Sequence, residues 1–395
     1  MDITAALIAA DAARLRQSQA ALPSQAEIVA ALAALADRWR DPNYPLRQEA
    51  EAFDDPFPFA MVWVSLKAIL DSLRPAELWA LIDAEDCRAA QGFPVVGHVI
   101  AANTPLLAWV SIIRALLVRS ASLVKLPSGP AAEWGRLFLR SLTDVSPGLA
   151  DGVTLYQWPG GTAELDAALC RSADVVMAHG SDDTMHALRG LCPPETPLVG
   201  YGHRVSLAVL PRGTATPEAL LGLARDVLLY DQGGCLSPQT VFVEGGWPET
   251  LHAAEQLAAA LRHAAIDYPL SVRSAHAAPA VREARALAFM EPDCRVWAGE
   301  EGRWTVIARP VLEFTPSPTF GVVSVQPLAS LSDLPEAVAA VAPVLQGCAA
   351  AGEGIADRLP GVSRLCPPGQ LQAPPLRWRQ DGRDVLRVLL TPRAA

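Results

Sequence analysis

One cysteine lies in a segment whose composition suits covalent chemistry. Residues 231–239 read DQGGCLSPQ, between an amphipathic helical run, Pro217 to Leu229, and a strand-like run, Thr240 to Val243. Two glycines permit a tight, exposed turn, and hydrogen-bonding residues flank the thiol. Cys235 is therefore a candidate nucleophile. The alternative is a small core cysteine beside a glycine loop.

Composition limits the functions that this thiol could serve. The chain has 395 residues, 51% hydrophobic and 19% charged, which predicts a globular protein of two or three domains. The net charge is -10 and there is no basic cluster, so nucleic acid is not expected as a partner. Seven scattered cysteines without a CxxC pair predict neither a disulfide framework nor a metal site.

Two features bear on location. The first residues, MDIT, lack the basic n-region of a signal peptide. The most apolar span, Val95 to Val118, is interrupted by polar and charged residues such as His98 and Arg114, so no membrane span is expected. A cytoplasmic location is the resulting expectation.

The N-terminal part, residues 1–92, is predicted to be a helical segment that packs on the next domain. Ser24 and Glu27 form a plausible capping box before apolar residues at helical spacing, and a further helical stretch covers about Met61 to Asp86. No cluster in this segment suggests chemistry.

Residues 93–210 alternate between strand-like and helical runs. Strands are predicted at 93–101, 122–126, 153–157 and 174–178, and helices at 105–119, 131–142, 164–171 and 182–191. This alternation predicts a parallel sheet covered by helices, of the kind that binds nucleotides at the carboxyl ends of its strands. No G-x-G-x-x-G follows the first strand, so an ordinary dinucleotide fingerprint is absent.

A second α/β domain is predicted over residues 211–365, with Cys235 near the junction of the two. Helices are expected at 217–229, 248–265, 278–290 and 334–341, and strands at 240–243 and 321–326. Residues 366–395 form a tail in which Arg383 to Leu390 is predicted as an edge strand used in assembly.

Several blocks in this order resemble the long-chain fatty-acyl-CoA reductases, the type found in bacterial bioluminescence, within the aldehyde dehydrogenase superfamily. The blocks are GHVIAANTP at 97–105, LVKLPS at 123–128, ADVVMAHGSDDT at 173–184, GYGHRVS at 200–206, DQGGCLSPQ at 231–239, GVSR at 361–364 and WRQDG at 378–382. The resemblance covers roughly residues 93–385.

The resemblance implies two Rossmann-like domains and NADPH-dependent reduction of a long-chain acyl thioester to an aldehyde. It places Cys235 on the nucleophile, Asn103 on the oxyanion-binding amide and Lys125 on the lysine that holds the adenosine ribose. Gly180 and Ser181 fall near the pyrophosphate.

Further along the chain, Gly202 is also expected at the cofactor site. An oxyanion hole would combine the Asn103 amide with the Cys235 backbone N–H.

Departures from the wider superfamily refine this expectation. Aldehyde-oxidising members carry a water-activating glutamate where this chain has Gly200 to His203 with no carboxylate, so thiol exchange is favoured over acid formation. A second glutamate is replaced by Pro318. The glutamate three residues after the ribose lysine is Ser128, which removes a charge that would repel a 2′-phosphate and favours NADPH over NADH.

The histidines and remaining cysteines carry weaker expectations. His203 is a candidate base for the thiol or acid for collapse of the intermediate, or alternatively a surface residue. His179 could touch the cofactor, whereas His98 is expected to be a core residue. The other six cysteines are interpreted as structural: Cys87, Cys170, Cys192, Cys294, Cys348 and Cys366.

Two other functions stay open from the sequence. One is an acylating aldehyde dehydrogenase acting on short acyl-CoA or acyl phosphate, and the other is a non-catalytic assembly subunit. The expected partners are a fatty acyl-CoA or acyl-carrier substrate, an acyl-transferring or acyl-activating enzyme, and a second copy of the chain in a homo-oligomer.

Overall fold

The computed structural model describes residues 3–53, 56–88, 90–271, 277–300, 303–352 and 354–391. The chain divides into two compact units. The first comprises residues 1–203, 375–379 and 383–395, and the second comprises residues 204–374 and 380–382.

The first unit contains ten helices among its described residues, and their starts follow local sequence signals. The predicted capping box is confirmed: the Glu27 N–H and the Ser24 N–H are bound by the side chains of Ser24 and Glu27, respectively. The helices are α1 Ala5–Ser18, α2 Gln25–Arg40, α3 Pro45–Glu51, α4 Phe59–Ser72, α5 Pro75–Ala84, α6 Leu107–Leu117, α7 Ala132–Val145, α8 Pro147–Ala150, α9 Ala163–Ser172 and α10 Asp182–Leu191.

A five-stranded parallel sheet forms the centre of the first unit. Its strands are β1 Val95–Val99, β2 Ala121–Leu126, β3 Val153–Gln157, β4 Val175–His179 and β5 Leu198–Tyr201, in the order β3-β2-β1-β4-β5. Every residue of β1, β2 and β4 is buried. Strands covered on both faces read as continuous apolar runs, which is why the sequence predicted them.

The second unit is built on a seven-stranded sheet, parallel except for β8 against β9. Its strands are β6 Val205–Leu210, β7 Pro238–Glu244, β8 Arg295–Ala298, β9 Thr305–Ala308, β10 Val322–Leu328, β11 Leu345–Ala350 and β12 Arg364–Cys366, in the order β12-β11-β6-β7-β10-β9-β8. The helices are α11 Pro217–Leu228, α12 Trp247–Asp267, α13 Ala277–Met290 and α14 Leu334–Ala337. Both predicted α/β regions are therefore present, each built around a largely parallel sheet.

The helix predicted over residues 334–341 is shorter in the structure. It ends at Ala337, whose carbonyl accepts the N–H of Phe314 at 2.8 Å. The Val341 N–H, which would continue the helix by bonding to that carbonyl, bonds to Val338 instead. A tertiary hydrogen bond therefore ends the helix.

The edge strand predicted at Arg383 to Leu390 is corrected by the structure. The buried carboxylate of Glu85 accepts the backbone N–H groups of Val385, Leu386 and Arg387 at 2.9, 2.7 and 2.9 Å. Those donors cannot also serve a strand ladder. The segment forms a 3₁₀ turn, Arg387–Leu389, and a single antiparallel bridge between Gly92 and Leu390.

Among the described residues no single helix is long and apolar enough to cross a membrane. One pair of helical segments, residues 5–21 and 25–40, has the required length and composition when taken together, but the two are bent by 107°.

A buried carboxylate in the second unit fixes the loop after β12. Asp226 on α11 is fully buried and accepts the Gly369 N–H at 2.6 Å. Gly369 has φ +87°, and a Cβ there would lie 2.9 Å from the Cα of Gly222 on the same helix. Burial raises the pKa of Asp226 to about 7, although N–H groups of the loop oppose the shift.

This carboxylate predicts a pH dependence of stability. Because the folded pKa lies above the ordinary value of about 3.9, the contribution is full below pH 4 and is lost as the pH rises towards 7. We expect Asp226→Asn to gain stability relative to the wild type between pH 5 and pH 8, by about 3 kcal/mol. Urea unfolding at the two pH values measures this change.

The matched control is Glu336→Gln, which alters an exposed carboxyl group of the same unit. A wild-type-to-variant difference that is equal at pH 5 and pH 8 for Asp226→Asn would contradict the expectation.

Candidate active site

The loop that carries Cys235 begins with three consecutive residues in the left-handed region. Tyr230, Asp231 and Gln232 have φ of 58°, 55° and 60°. Such conformations cost non-glycine residues on the order of 1–3 kcal/mol each and persist only where the surroundings hold them. The buried side chain of Gln232 does so by donating to the carbonyls of Pro238 and Val322 at 2.8 and 2.9 Å.

A second left-handed run holds the first. Thr319, Phe320 and Gly321 have φ of 70°, 54° and 72°, and the Phe320 N–H donates to the Asp231 carbonyl at 2.8 Å. This run follows Pro318 and leads into β10. The shape of the cysteine loop is therefore fixed by a segment some ninety residues later in the chain.

The backbone around the thiol is also tied to the sheet and to the loop after β12. Ser206 on β6 donates its hydroxyl to the Cys235 carbonyl at 2.8 Å. Gln372 donates to the Ser237 hydroxyl at 2.6 Å. Gly347 on β11 allows the close packing, since a Cβ there would lie 2.7 Å from the Ser206 hydroxyl. These contacts leave the cysteine little freedom to move.

The Cys235 thiol is partly buried, and its ionisation is opposed by its surroundings. Burial and the charge of Asp381 raise its pKa to about 12. The backbone N–H groups of Cys235 and Leu236 and the charge of Arg204 act in the opposite direction. Since the thiolate is the nucleophilic form, these groups decide how reactive the cysteine is.

Arg204 and Asp381 form an ion pair that the sequence reasoning missed. The Arg204 Nε and terminal nitrogen donate to the two carboxylate oxygens of Asp381 at 3.0 and 2.8 Å. Gln346 donates to the same carboxylate at 2.9 Å. The available signal was the Asp-Gly pair at 381–382, because Asp381 has φ 55° and aspartate tolerates that region.

The first unit has a cavity of about 500 Å³ where its strands end. It lies at the carboxyl ends of β1, β2 and β4, the edge at which parallel sheets bind ligands. Its lining includes Ile100, Ala101, Lys125, Pro127, Ser128, Gly160, Gly161, Asp166, His179, Gly180, Asp183 and Thr184.

Lys125 is the most informative residue of this cavity. It is 7% exposed, and within the described ranges its ammonium has no hydrogen bond or ion pair. Burial lowers the pKa of this ammonium, whereas the negative charge of Asp166 raises it. The chain has only two lysines, Lys67 and Lys125, among its 32 basic residues. An ammonium without an acceptor fits a ligand that brings hydroxyl or phosphate oxygens.

The other predicted cofactor residues differ in position. Ser128 and Gly180 line the cavity together with Lys125. Ser181 is instead the N-cap of α10, where its hydroxyl accepts the Thr184 N–H at 3.2 Å. Gly202 permits a close turn: a Cβ there would lie 2.3 Å from the Asp182 carboxylate.

Asn103 and His203 both lie in the first unit and are exposed. Asn103 is in the loop between β1 and α6. The backbone N–H of His203 donates to Asp182 at 2.9 Å. Their catalytic roles stay predictions.

The other two histidines of interest are buried. His98 contacts the hydroxyls of Ser111 and Ser122 at 2.7 and 3.2 Å, so its predicted core role is confirmed. His179 lines the cavity and stacks on Tyr201 at 4.8 Å. Burial lowers the pKa of both to about 3, so both rings are neutral at physiological pH.

A dinucleotide fits these observations in the first unit. Lys125 supplies a cation that forms no ion pair with a described residue, and Gly160 and Gly161 leave backbone at the cavity wall open, since a Cβ at either would meet no atom within 4 Å. We find no group of three or more metal-ligating side chains in the part of the chain that the structure describes.

The fold is that of the aldehyde dehydrogenases. A Δ1-pyrroline-5-carboxylate dehydrogenase from Mycobacterium tuberculosis superimposes with a TM-score of 0.70 and 15% identity, covering 98% of this chain and 81% of that one. A NAD-dependent benzaldehyde dehydrogenase from Corynebacterium glutamicum gives a TM-score of 0.66 at 15% identity, covering 99% and 90%. At this identity the likeness shows the fold alone.

The sequence model of the family described as acyl-CoA reductase (LuxC) matches residues 20–391. The chain belongs to this family, which uses a nicotinamide cofactor, and the resemblance seen in the sequence is confirmed.

Curated relatives match a shorter part of the chain. Proteins named long-chain acyl-protein thioester reductase are 28% identical, over 160 residues in Photorhabdus laumondii and over 180 in Aliivibrio fischeri. These alignments cover 40% and 45% of this chain. They span only 33% and 37% of the relatives, about a third of their length.

The unpaired ammonium of Lys125 predicts a measurable loss of cofactor affinity on substitution. Charge-assisted hydrogen bonds contribute roughly 1.5–3 kcal/mol, so we expect Lys125→Met to weaken binding of the reduced nicotinamide dinucleotide by about 10- to 100-fold. Titration of the nucleotide fluorescence gives the Kd.

Lys67→Met is the control, because Lys67 is the other lysine of the chain and pairs with Asp71 on the surface. Equal affinities of Lys125→Met and the wild type would remove Lys125 from the cofactor site.

Proposed function

We propose that this protein is a cytoplasmic, NADPH-dependent reductase that converts a long-chain fatty acyl thioester to the fatty aldehyde through an acyl-Cys235 intermediate. The observation that carries the proposal is the thiol itself, held on a strained loop in a chain of the acyl-CoA reductase family. The thioester is carried by coenzyme A or by an acyl-carrying protein.

The first step is acyl transfer to Cys235. The thiolate attacks the acyl carbonyl carbon, the new S–C bond forms, and the carrier thiolate leaves and takes up a proton. In the free protein the backbone N–H groups of Cys235 and Leu236 interact with the sulfur and lower its pKa. As negative charge moves to the carbonyl oxygen, the Cys235 N–H would donate to that oxygen; one such donor is typically worth roughly 3 kcal/mol.

The reductive step releases the aldehyde. A bound reduced nicotinamide supplies the hydride that the acyl carbon accepts. In the resulting thiohemiacetal the hydroxyl oxygen forms the carbonyl as the C–S bond breaks, the departing Cys235 sulfur takes up the proton, and no water is consumed. Lys125 and Ser128 would hold the adenosine end of the cofactor, and the absence of a carboxylate at position 128 favours a 2′-phosphate.

Hydrolysis of the acyl-enzyme is disfavoured because the glutamate that activates water in aldehyde-oxidising members of the superfamily has no counterpart in this chain. The segment from Gly200 to His203 carries no carboxylate. Asp182, which approaches this turn, accepts the His203 N–H. Without general-base assistance, attack by water is slower by roughly a hundredfold or more, so the acyl group survives until reduction.

Acylation mapping tests the proposal. We expect purified protein incubated with acyl-CoAs of increasing chain length, without cofactor, to carry the acyl group on Cys235 and to prefer long chains. Trypsin releases Cys235 in residues 226–262, where it is the one cysteine. NADPH added afterwards should release the aldehyde, detected by gas chromatography.

Cys235→Ala should lose both the label and the aldehyde, whereas Cys366→Ala, a partly buried thiol of the same unit, should keep both. Label on another cysteine would refute the assignment. A preference for short chains or acyl phosphate would favour an acylating aldehyde dehydrogenase. Failure to bind NADPH would favour a non-catalytic assembly subunit.

Ser128 predicts the cofactor preference. A glutamate at this exposed position of the cavity wall would repel a 2′-phosphate, so we expect Ser128→Glu to lower the NADPH:NADH affinity ratio by about tenfold. Ser128→Ala removes the hydroxyl without adding charge and should change the ratio little. Kd values for both nucleotides measure the ratio; an unchanged ratio in Ser128→Glu would contradict a 2′-phosphate near this residue.

A further inference from the structure

The surroundings of Cys235 contain two opposite charges whose positions are set by neighbouring strands. Ser206, bonded to the Cys235 carbonyl, follows Arg204 by two residues at the start of β6. Gly347, packed against Leu236, follows Gln346 at the start of β11. The same strand ends that support the cysteine loop therefore also carry two members of the ion-pair network.

An irregularity in the sheet directs Gln346 to this network. β6 and β11 pair Val205 with Leu345 and Ser206 with Gly347, so Gln346 is an extra residue between two pairs. Bulges of this kind redirect a side chain and are frequent beside active sites. Gln346 is 1% exposed, and its amide donates to Asp381 at 2.9 Å.

Asp381 is held in one orientation from two sides. One carboxylate oxygen accepts from both Arg204 and Gln346, and the other accepts from Arg204. The side chains of Asp381 and Arg204 are 7% and 23% exposed, so solvent screens their charges incompletely. A surface ion pair would need neither the bulge nor the left-handed backbone of Asp381.

We propose that Arg204 and Asp381 are positioning residues that control the ionisation of Cys235, with Asp381 keeping the thiol protonated and Arg204 favouring the thiolate. The two side chains act together, because the ion pair between them holds each in place. The inference rests on the proposed function only in that Cys235 is the nucleophile.

The signs of the two effects agree with this assignment. The carboxylate of Asp381 raises the pKa of the thiol and the guanidinium of Arg204 lowers it. Other charged groups around the loop are engaged elsewhere: Asp231 with Ser271, Arg364 with the Leu371 carbonyl, and Asp226 with Gly369.

The test measures the reactivity of the thiol directly. The rate of alkylation of Cys235 by iodoacetamide is followed from pH 6 to pH 10 by mass spectrometry of residues 226–262, without substrate or cofactor. Asp381→Asn keeps one amide oxygen as acceptor for Arg204 Nε and Gln346 and suits the left-handed backbone, but it removes the negative charge and the second acceptor of Arg204. Arg204→Gln removes the positive charge, and Arg204→Lys retains it.

We expect opposite responses. A thiol of lower pKa is ionised to a greater extent, but its thiolate is a weaker nucleophile. A change of one unit in the pKa therefore alters the alkylation rate at a given pH by only about threefold. At pH 8, Asp381→Asn should alkylate about threefold faster than the wild type, with its pH profile moved to lower pH. Arg204→Gln should alkylate about threefold slower, with its profile moved to higher pH, and Arg204→Lys should lie between Arg204→Gln and the wild type.

Opposite signs separate this role from a structural one. Loosening of the loop would expose the thiol and accelerate alkylation in both variants, and that result would overturn the proposal. Equal rates in all variants would overturn it too. Glu291→Gln, which breaks an ion pair with Arg309 in the same unit, is the control and should match the wild type.

The outcome is independent of the proposed function. Opposite shifts without any acyl-enzyme would refute the reductase and leave the electrostatic control standing. Aldehyde formation by the wild type together with identical alkylation of Asp381→Asn and Arg204→Gln would refute the control and leave the reductase standing.

Discussion

The central constraint in the second unit is the partly buried thiol of Cys235, which in the proposed mechanism must ionise in surroundings that disfavour its charge. A thioester is attacked by thiolate, and burial raises the pKa of this thiol so far that the thiol form predominates at pH 7. The same burial strengthens the electrostatic interaction of the thiol with nearby charges, so Asp381 and Arg204 affect its pKa more than exposed residues would.

Placing that thiol accurately requires backbone strain, and the surrounding contacts compensate for it. Tyr230 to Gln232 and Thr319 to Gly321 are both left-handed, and a hydrogen bond from Phe320 to Asp231 joins them. Gln232 then bonds to carbonyls on either side of the loop. Two strained segments that bond to each other form a more rigid loop than a glycine turn would. The sequence, with Gly233 and Gly234, suggests a flexible glycine turn instead.

Elements of the fold could be predicted where local pattern and tertiary environment agree. The strands of the first sheet are apolar throughout because helices cover both faces. β11, with the sequence LQGCAA, was missed because it has no β-branched residue and is held by its pairing with β6 and β12. The VLRVLL pattern near the C-terminus predicted a strand, but Glu85, 300 residues earlier, takes its donors.

The residues of the candidate site also divide into those that the sequence predicts and those that only the folded chain brings together. Cys235, Lys125 and Ser128 lie in short blocks that keep their spacing because each block is one turn beside one strand. Arg204 and Asp381 are 177 residues apart, and nothing local to either residue indicates the other. Each of the two residues lies in one of the sequence blocks, GYGHRVS and WRQDG, but a block fixes spacing only within itself, whereas pairing between distant blocks depends on the fold. The pairing of Arg204 with Asp381 is therefore a property that only the folded chain displays.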